Sequence, residues 1–326
     1  MAYILLIIGF ILLVKGADIF VSGSSAIARY FSIPTFIIGL TVVAFGTSMP
    51  EAAISVTAAL RGANGIAVGN ALGSNMFNLL VVLGASSLIR ECPVSGETLK
   101  FEYPVSVAAA LLLLIMSSGM EAGGNVISRT DGLILLAVFV VFMAVTVKKA
   151  LKIHREKLVP DYDGGDDTED DGSDDNMPLT KAVVYSAAGI GGIILGGDIV
   201  VDSAVSIAEA FGVDEILIGL TIVALGTSLP ELVISVVAAL RGETDIAVGN
   251  VIGSNIFNLL PVLGLSTFIH PISVTMFSIY DMIILIAASL IILIPLARKQ
   301  LLTRGWGAAL LLMYGLYLAY IIARAV

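Results

Sequence analysis

Charge is what this chain has least of: Asp, Glu, Lys and Arg make up 13% of its 326 residues, against roughly a quarter in a soluble domain. Histidine occurs twice, at His154 and His270, and cysteine once, at Cys92. A single thiol excludes an intramolecular disulfide framework. Two isolated histidines give no soft-metal centre. No basic stretch interleaved with aromatics suggests nucleic acid. The N-terminus lacks the basic start and small-residue cleavage site of a signal peptide, so it is expected to form the first spanning helix.

What the chain has in quantity is apolar length, with 58% hydrophobic residues and a mean hydropathy of +1.02. These values predict an all-α integral membrane protein. At ~20 residues per crossing of a ~30 Å hydrocarbon core, ten spanning helices are expected, at about 2–20, 33–60, 66–89, 104–118, 132–147, 182–201, 216–240, 246–269, 279–296 and 306–322. The net charge of −9 is largely local, because nine carboxylates fall between Asp161 and Asp175. Residues 148–180 begin basic (KKALKIHREK) and turn acidic and Gly-rich. With almost nothing apolar to bury, they read as a solvated cytoplasmic linker between a first half, 1–147, and a second, 181–326. The acidic spacing does not fit an EF-hand loop.

The halves are copies. Residues 39–84 and 219–264 align without a gap at an offset of 180, with 33 of 46 positions identical. Asp18 and Asp198 match at the same offset. Five helices per half is an odd number, so the second copy is expected to enter the membrane upside down, as in transporters built from inverted repeats. With the N-terminus outside, thirteen Lys and Arg residues fall on inner connections and only Arg61, Arg129 and Arg324 on outer ones. The positive-inside rule then puts both termini outside the cell and the linker in the cytoplasm.

Two polar blocks recur in each copy. In GTSMPE and GTSLPE, Pro50 and Pro230 lack a backbone N–H and clash with the carbonyl four residues back, so the helix is expected to open there. Carbonyls freed at membrane depth must line a cavity or meet a ligand. Thr47, Ser48 and Glu51, like Thr227, Ser228 and Glu231, gather hydroxyl, carbonyl and carboxylate oxygen, a donor set for hard cations. A carboxylate at mid-helix costs at least ~2.5–3.5 kcal/mol. The competing account is a Glu snorkelling to an interface or protonated in a helix contact, but no Lys or Arg in either block is placed to neutralise it, and the residue recurs. In GNALGSNMFN and GNVIGSNIFN, Ser74 and Asn78, like Ser254 and Asn258, share a helical face and read as ligands. The GxxxG spacings Gly69–Gly73 and Gly249–Gly253 read as helix packing. Asn70, Asn75, Asn250 and Asn255 fit ligation and interhelical hydrogen bonding equally well. Thr41, Thr221, Ser55 and Ser235 read as helix-contact hydroxyls, while Asp18 and Asp198 fit either a vestibule or a helix cap.

These blocks, over nearly the whole chain, resemble the cation/calcium exchanger superfamily, and most closely the prokaryotic sodium/calcium exchangers. The resemblance implies that Glu51 and Glu231 are shared by calcium and sodium, and that Thr47 and Thr227 give backbone oxygen to calcium. It further implies sodium sites from Ser48, Ser74, Ser228 and Ser254 with the carbonyls of Ala44 and Ala224, and a middle position faced by Asn78 and Asn258. Some relatives, including potassium-dependent ones, place Asp where this chain has Asn258, which weakens the case for potassium co-transport.

The expected activity is sodium/calcium antiport, three to one, extruding calcium, with calcium and sodium as transported ions, the lipid bilayer as surroundings and no cofactor. Proton-coupled or potassium-dependent exchange is the alternative within the class. A calcium-permeable channel is the alternative outside it. An intramembrane hydrolase is disfavoured, because no His lies in an expected span to serve Ser48 as base.

Overall fold

The computed structural model describes residues 2–31, 33–62, 64–118, 125–158, 177–211 and 224–325. It is helical throughout, apart from four two-residue strands. In chain order the helices are α1 (Ala2–Tyr30), α2 (Thr35–Thr47), α3 (Met49–Leu60), α4 (Gly65–Ile89), α5 (Gly96–Ser117), α6 (Arg129–Leu158), α7 (Leu179–Ala210), α8 (Ala224–Thr227), α9 (Leu229–Arg241), α10 (Thr244–Ile269), α11 (Met276–Lys299) and α12 (Arg304–Ala325). Among the described residues eight helices are long and apolar enough to cross a membrane, or nine if the bent pair α2 and α3 is one span. The seventh expected span, 216–240, falls partly on residues 212–223, outside the described residues. So does Thr221. Of the expected linker, 159–176 lie outside the described residues as well, while α6 continues to Leu158 and α7 begins at Leu179.

Burial sorts the helices. α10 has 94% of its apolar window buried and α4 has 72%, against 17% for α12, 22% for α6, 28% for α7 and 33% for α1. The two most buried spans are also the least hydropathic, at 1.6 each. They carry the GNxxGSN blocks, and their polar side chains are tolerated because they face protein rather than lipid. Around them packs the larger apolar cluster, with Leu72, Met76, Leu80, Val251, Ile256 and Leu260 at its centre.

A second cluster joins α1 and α7 to α2 and α9 through Leu13, Phe20, Val43, Ile193 and Ile234. α1 and α7 run antiparallel at very close range. A Cβ added to Gly9, Gly16 or Gly23 would come within 3.0 Å of the carbonyl oxygen of Gly196, Gly189 or Ala182 in turn. Those glycines recur every seven residues, which keeps one helical face against the partner helix.

Four short strands tie the connections. β1 (Cys92–Pro93), after α4, pairs antiparallel with β4 (Leu301–Leu302), after α11. β2 (Val126–Ile127), before α6, pairs antiparallel with β3 (Ile272–Ser273), after α10.

Candidate functional site

The prolines act as the sequence requires. α2 and α3 meet at Ser48, whose φ of −83° and ψ of 6° leave the helical range, and the axes bend by 46°. The second copy breaks in the same way at Ser228, with φ −93° and ψ 7°. Pro50 and Pro230 then sit in the first turn of α3 and α9, where a missing N–H costs nothing. Glu51 and Glu231 follow directly, so each carboxylate starts a helix, where the backbone dipole favours negative charge.

Both carboxylates are wholly buried, at 0% exposure. Their hydroxyl partners are shared between the copies. Ser228 Oγ donates to Glu51 Oε1 at 3.1 Å, and Ser48 Oγ donates to Glu231 Oε1 at 3.3 Å. From the deep helices, Ser74 Oγ donates to Glu51 Oε1 at 3.4 Å and Ser254 Oγ to Glu231 Oε1 at 3.5 Å. The serine at each break therefore serves the glutamate of the other copy, and the serine of the GSN block serves its own.

Two asparagines hold the breaks in place. Asn70 Nδ2 donates to the Glu51 carbonyl at 3.2 Å and to Ser55 Oγ at 3.0 Å. Asn250 Nδ2 donates to the Glu231 carbonyl at 3.3 Å and to Ser235 Oγ at 3.0 Å. Asn250 Oδ1 also accepts from Thr47 Oγ1 at 3.2 Å, which ties α10 to α2. These bonds make both asparagines tethers in this structure and put Ser55 and Ser235 in helix contacts. Thr41 Oγ1 turns back on its own helix, donating to the Ile37 carbonyl at 2.7 Å.

Asn75 crosses between the copies, donating from Nδ2 to the Asn255 carbonyl at 3.1 Å. Asn78 and Asn258 each open a π-turn, Asn78–Val82 and Asn258–Val262, a widening often found at functional sites.

Oxygen left over at the centre defines what the site can hold. Among the described residues, Oε2 of Glu51 and of Glu231 and both amide atoms of Asn78 and of Asn258 are buried without a hydrogen-bond partner. Such atoms are costly unless a ligand or water meets them. Among the described residues no Lys or Arg pairs with either glutamate: Arg241 is bound to Asp18 and Ser22 instead. Among the described residues no group of three or more His, Cys, Asp or Glu side chains gathers, so the donors are two carboxylates with hydroxyl, amide and carbonyl oxygen. Ala44 lies buried one turn before the first break, its carbonyl accepting from the Ser48 N–H at 3.0 Å. Ala224 begins α8 at the corresponding place.

A cleft of about 580 Å³ opens beside the site, between Pro50, Ala53 and Ile54 of α3, Gly226 and Thr227 of α8, Pro230 of α9, and Gly197, Asp198, Val201 and Asp202 of α7. Asp198 is thus a vestibule residue, whereas its counterpart Asp18 forms an ion pair with Arg241. The α7 lining was not marked by the repeated blocks. Asp202 aligns with Ser22, so duplication carried no signal for it.

A pair of buried carboxylates dressed in hydroxyls and amides, held between two copies of a broken helix within a multi-pass bundle, defines a membrane cation transporter. The family model described as sodium/calcium exchanger protein matches residues 1–148 and 181–323, and the chain belongs to that family. It is 31% identical to the sodium/calcium exchanger MaX1 of Methanosarcina acetivorans over a 339-residue alignment covering 97% of each chain. It is 39% identical to the inner membrane protein YrbG of Escherichia coli over 273 residues, covering 83% of this chain and 81% of the relative. A structure of the sodium-calcium exchanger NCX_Mj soaked with zero Na+ and Ca2+ has a TM-score of 0.82 at 33% identity, with 98% of each chain covered. The chain is a multi-pass membrane transporter of the cation/calcium exchange class, not an enzyme.

Proposed function

We propose that the chain exchanges three sodium ions for one calcium ion across the cell membrane by alternating access, extruding calcium. The observation that carries this reading is the meeting of Glu51 and Glu231, each with one carboxylate oxygen unpartnered. Two carboxylates balance one calcium ion or two sodium ions, so the two loads compete for the same oxygens. Glu51 and Glu231 would be shared, with Thr47 and Thr227 adding backbone oxygen for calcium. Ser48, Ser74, Ser228 and Ser254, with the carbonyls of Ala44 and Ala224, would complete the sodium sites. Asn78 and Asn258 would face the middle.

The ten-helix, inverted-repeat arrangement belongs to the same proposal, and the strand pairs support it. α5 lies between β1 and β2, so these lie at opposite ends of a span; β3 pairs with β2, although by repeat it corresponds to β1. Equivalent connections thus fall on opposite faces. The Lys and Arg distribution supports a cytoplasmic linker and extracellular termini.

Energy bounds the stoichiometry. Expelling calcium against an assumed ~10,000-fold gradient costs ~5.5 kcal/mol, and moving its two charges against ~100 mV adds ~4.6 kcal/mol. Each sodium ion moving down a tenfold gradient and that potential yields ~3.7 kcal/mol, so two fall short and three suffice.

The test is calcium-45 uptake into proteoliposomes under sodium, potassium or proton gradients imposed one at a time. A sodium gradient alone is expected to drive uptake, and Glu51→Gln or Glu231→Gln to abolish it while the protein stays folded. Uptake driven by a pH gradient without sodium would replace this reading with proton coupling. Wild-type rates in either Gln variant would remove the glutamates from the mechanism.

A further inference from the structure

We infer that Arg241 and Arg61 are alternating gate residues of the exchange cycle, each closing one face of the transporter by bridging to the α1–α7 pair. The inference rests on the alternating-access reading above. Arg241, at the end of α9, donates from Nε to Asp18 Oδ1 at 2.9 Å; its terminal nitrogens reach Asp18 and Ser22. This bridge joins the copy-two broken helix to α1. By repeat, Arg61 corresponds to Arg241, Asp198 to Asp18 and Asp202 to Ser22. The corresponding bridge is not made. Among the described residues Arg61 has no acidic partner, and Asp198 and Asp202 line the open cleft.

The two bridges belong to opposite faces. α3 runs from Glu51 past Ala53 and Ile54 of the cleft to Arg61, and α7 runs past Asp198 and Asp202 toward Ala210. α9 runs from Pro230, which lines the cleft, to Arg241, which lies eleven residues further on, about 16 Å along a helix. α1 is antiparallel to α7, so Asp18 lies toward the start of α7, on the face away from the cleft.

Two features separate this bridge from ordinary ion pairs. Two other pairs occupy similar places in the two halves: Lys149 Nζ meets Glu102 Oε1 at 3.0 Å and Arg324 Nη2 meets Asp281 Oδ2 at 2.7 Å, each base twenty residues into α6 or α12. The longer Arg29–Glu243 pair, at 4.0 Å, can have no counterpart, because Ala63 stands at the repeat position of Glu243, whereas Arg61 and Asp198 supply both residues for a counterpart of the Arg241 bridge. The Arg241 bridge has no counterpart in this conformation. It also joins α9 to one member of a helix pair, α1 and α7, that glycines hold face to face. Both its side chains are partly exposed, at 35% and 42%, so it is weak enough to break in each cycle.

The experiment uses Ala53→Cys, in the cleft, in a Cys92→Ser chain reconstituted with known orientation. Labelling by a membrane-impermeant maleimide on the cleft side reports how long that face stays open. Arg241→Ala, and independently Asp18→Asn, should lower the labelling rate by about two- to fivefold, the equilibrium ratio of an exposed ion pair. Arg61→Ala should raise it or leave the cleft fully open. Combining Asp18→Arg with Arg241→Asp should restore it. Unchanged labelling in both Arg241→Ala and Asp18→Asn overturns the gate. Labelling needs neither sodium nor calcium, so absence of sodium-driven flux in the unmutated protein would refute the exchange reading separately.

Discussion

Ser228 Oγ lies 3.1 Å from Glu51 Oε1, a hydrogen bond across 177 positions of sequence that joins the break in one copy to the carboxylate of the other. Its counterpart, Ser48 on Glu231, is 3.3 Å long. Neither copy completes its own site, so either half of the chain alone should bind no cation. A hydrogen bond to a charged group contributes about 1.5–3 kcal/mol. Ser228→Ala and Ser48→Ala should each raise the half-saturating calcium concentration roughly tenfold or more. The decisive measurement is a double-mutant cycle on calcium flux: Ser48→Ala should be non-additive with Glu231→Asp and closer to additive with Glu51→Asp. The opposite pattern would mean that the hydroxyls serve their own copy.

Asn250 carries more bonds than its side chain shows in sequence. Its amide holds the Glu231 carbonyl and Ser235, and its oxygen takes the Thr47 hydroxyl. Asn250→Ala takes a partner from three buried polar groups, of which Thr47 Oγ1 keeps longer contacts to the Ala44 carbonyl and Ser254 Oγ, both at 3.4 Å, while a buried group left without a partner costs about 1–3 kcal/mol. The melting temperature in detergent should fall by several degrees, and calcium affinity should fall with it because Glu231 is no longer held. Asn250→Asp keeps one acceptor but loses the donor, so Thr47 stays paired while the Glu231 carbonyl does not. Equal thermal stability of wild type and Asn250→Ala would show that the tether is not structural.

Much of this arrangement was legible in the sequence, and the rest was hidden for identifiable reasons. Pro50 and Pro230 announced both breaks, because a missing N–H and a steric clash act locally. The helix ends were less legible: α1 runs to Tyr30 rather than Phe20, and α7 to Ala210 rather than Val201. Hydropathy reports what faces lipid, and the Ser24 and Ser25 stretch of α1 faces protein instead. The crossed Ser–Glu bonds could not be read at all. A serine three residues before its own glutamate looks local until the copies are packed together. The π-turns at Asn78 and Asn258 likewise have no local signature.

Glycine in the GNxxGSN block of α10 is explained by distance. A Cβ on Gly253 would lie 2.4 Å from the Leu40 carbonyl oxygen, and one on Gly249 would lie 2.5 Å from that of Phe36. Both obstacles are backbone of α2, which cannot turn aside as a side chain could. For Gly69 and Gly73, the repeat-related facing residues lie outside the described residues. Overpacking typically costs about 1–3 kcal/mol, and here it would also push α2 off the Thr47–Asn250 contact. Gly253→Ala should lower the melting temperature and reduce calcium affinity. Gly315→Ala, on α12 with no described atom within 4 Å of the added carbon, should change neither.

Cys92 offers a test outside the spans. It sits in β1, fully buried at 0% exposure. Burial pushes its thiol above the ordinary cysteine range, and the nearby negative charge of Asp245 adds to this. Only the thiolate reacts. A raised value means that the thiolate fraction at pH 7 to 8 is smaller than in a free cysteine and grows only as pH climbs past that range. Labelling by N-ethylmaleimide should therefore be slow in the folded protein at neutral pH and rise with pH. It should become fast at pH 7.5 once denaturant separates β1 from β4. Rapid labelling of the native protein at pH 7 would mean that the β1–β4 pair opens readily, and the connection between α4 and α5 would then be a moving part rather than a fixed one.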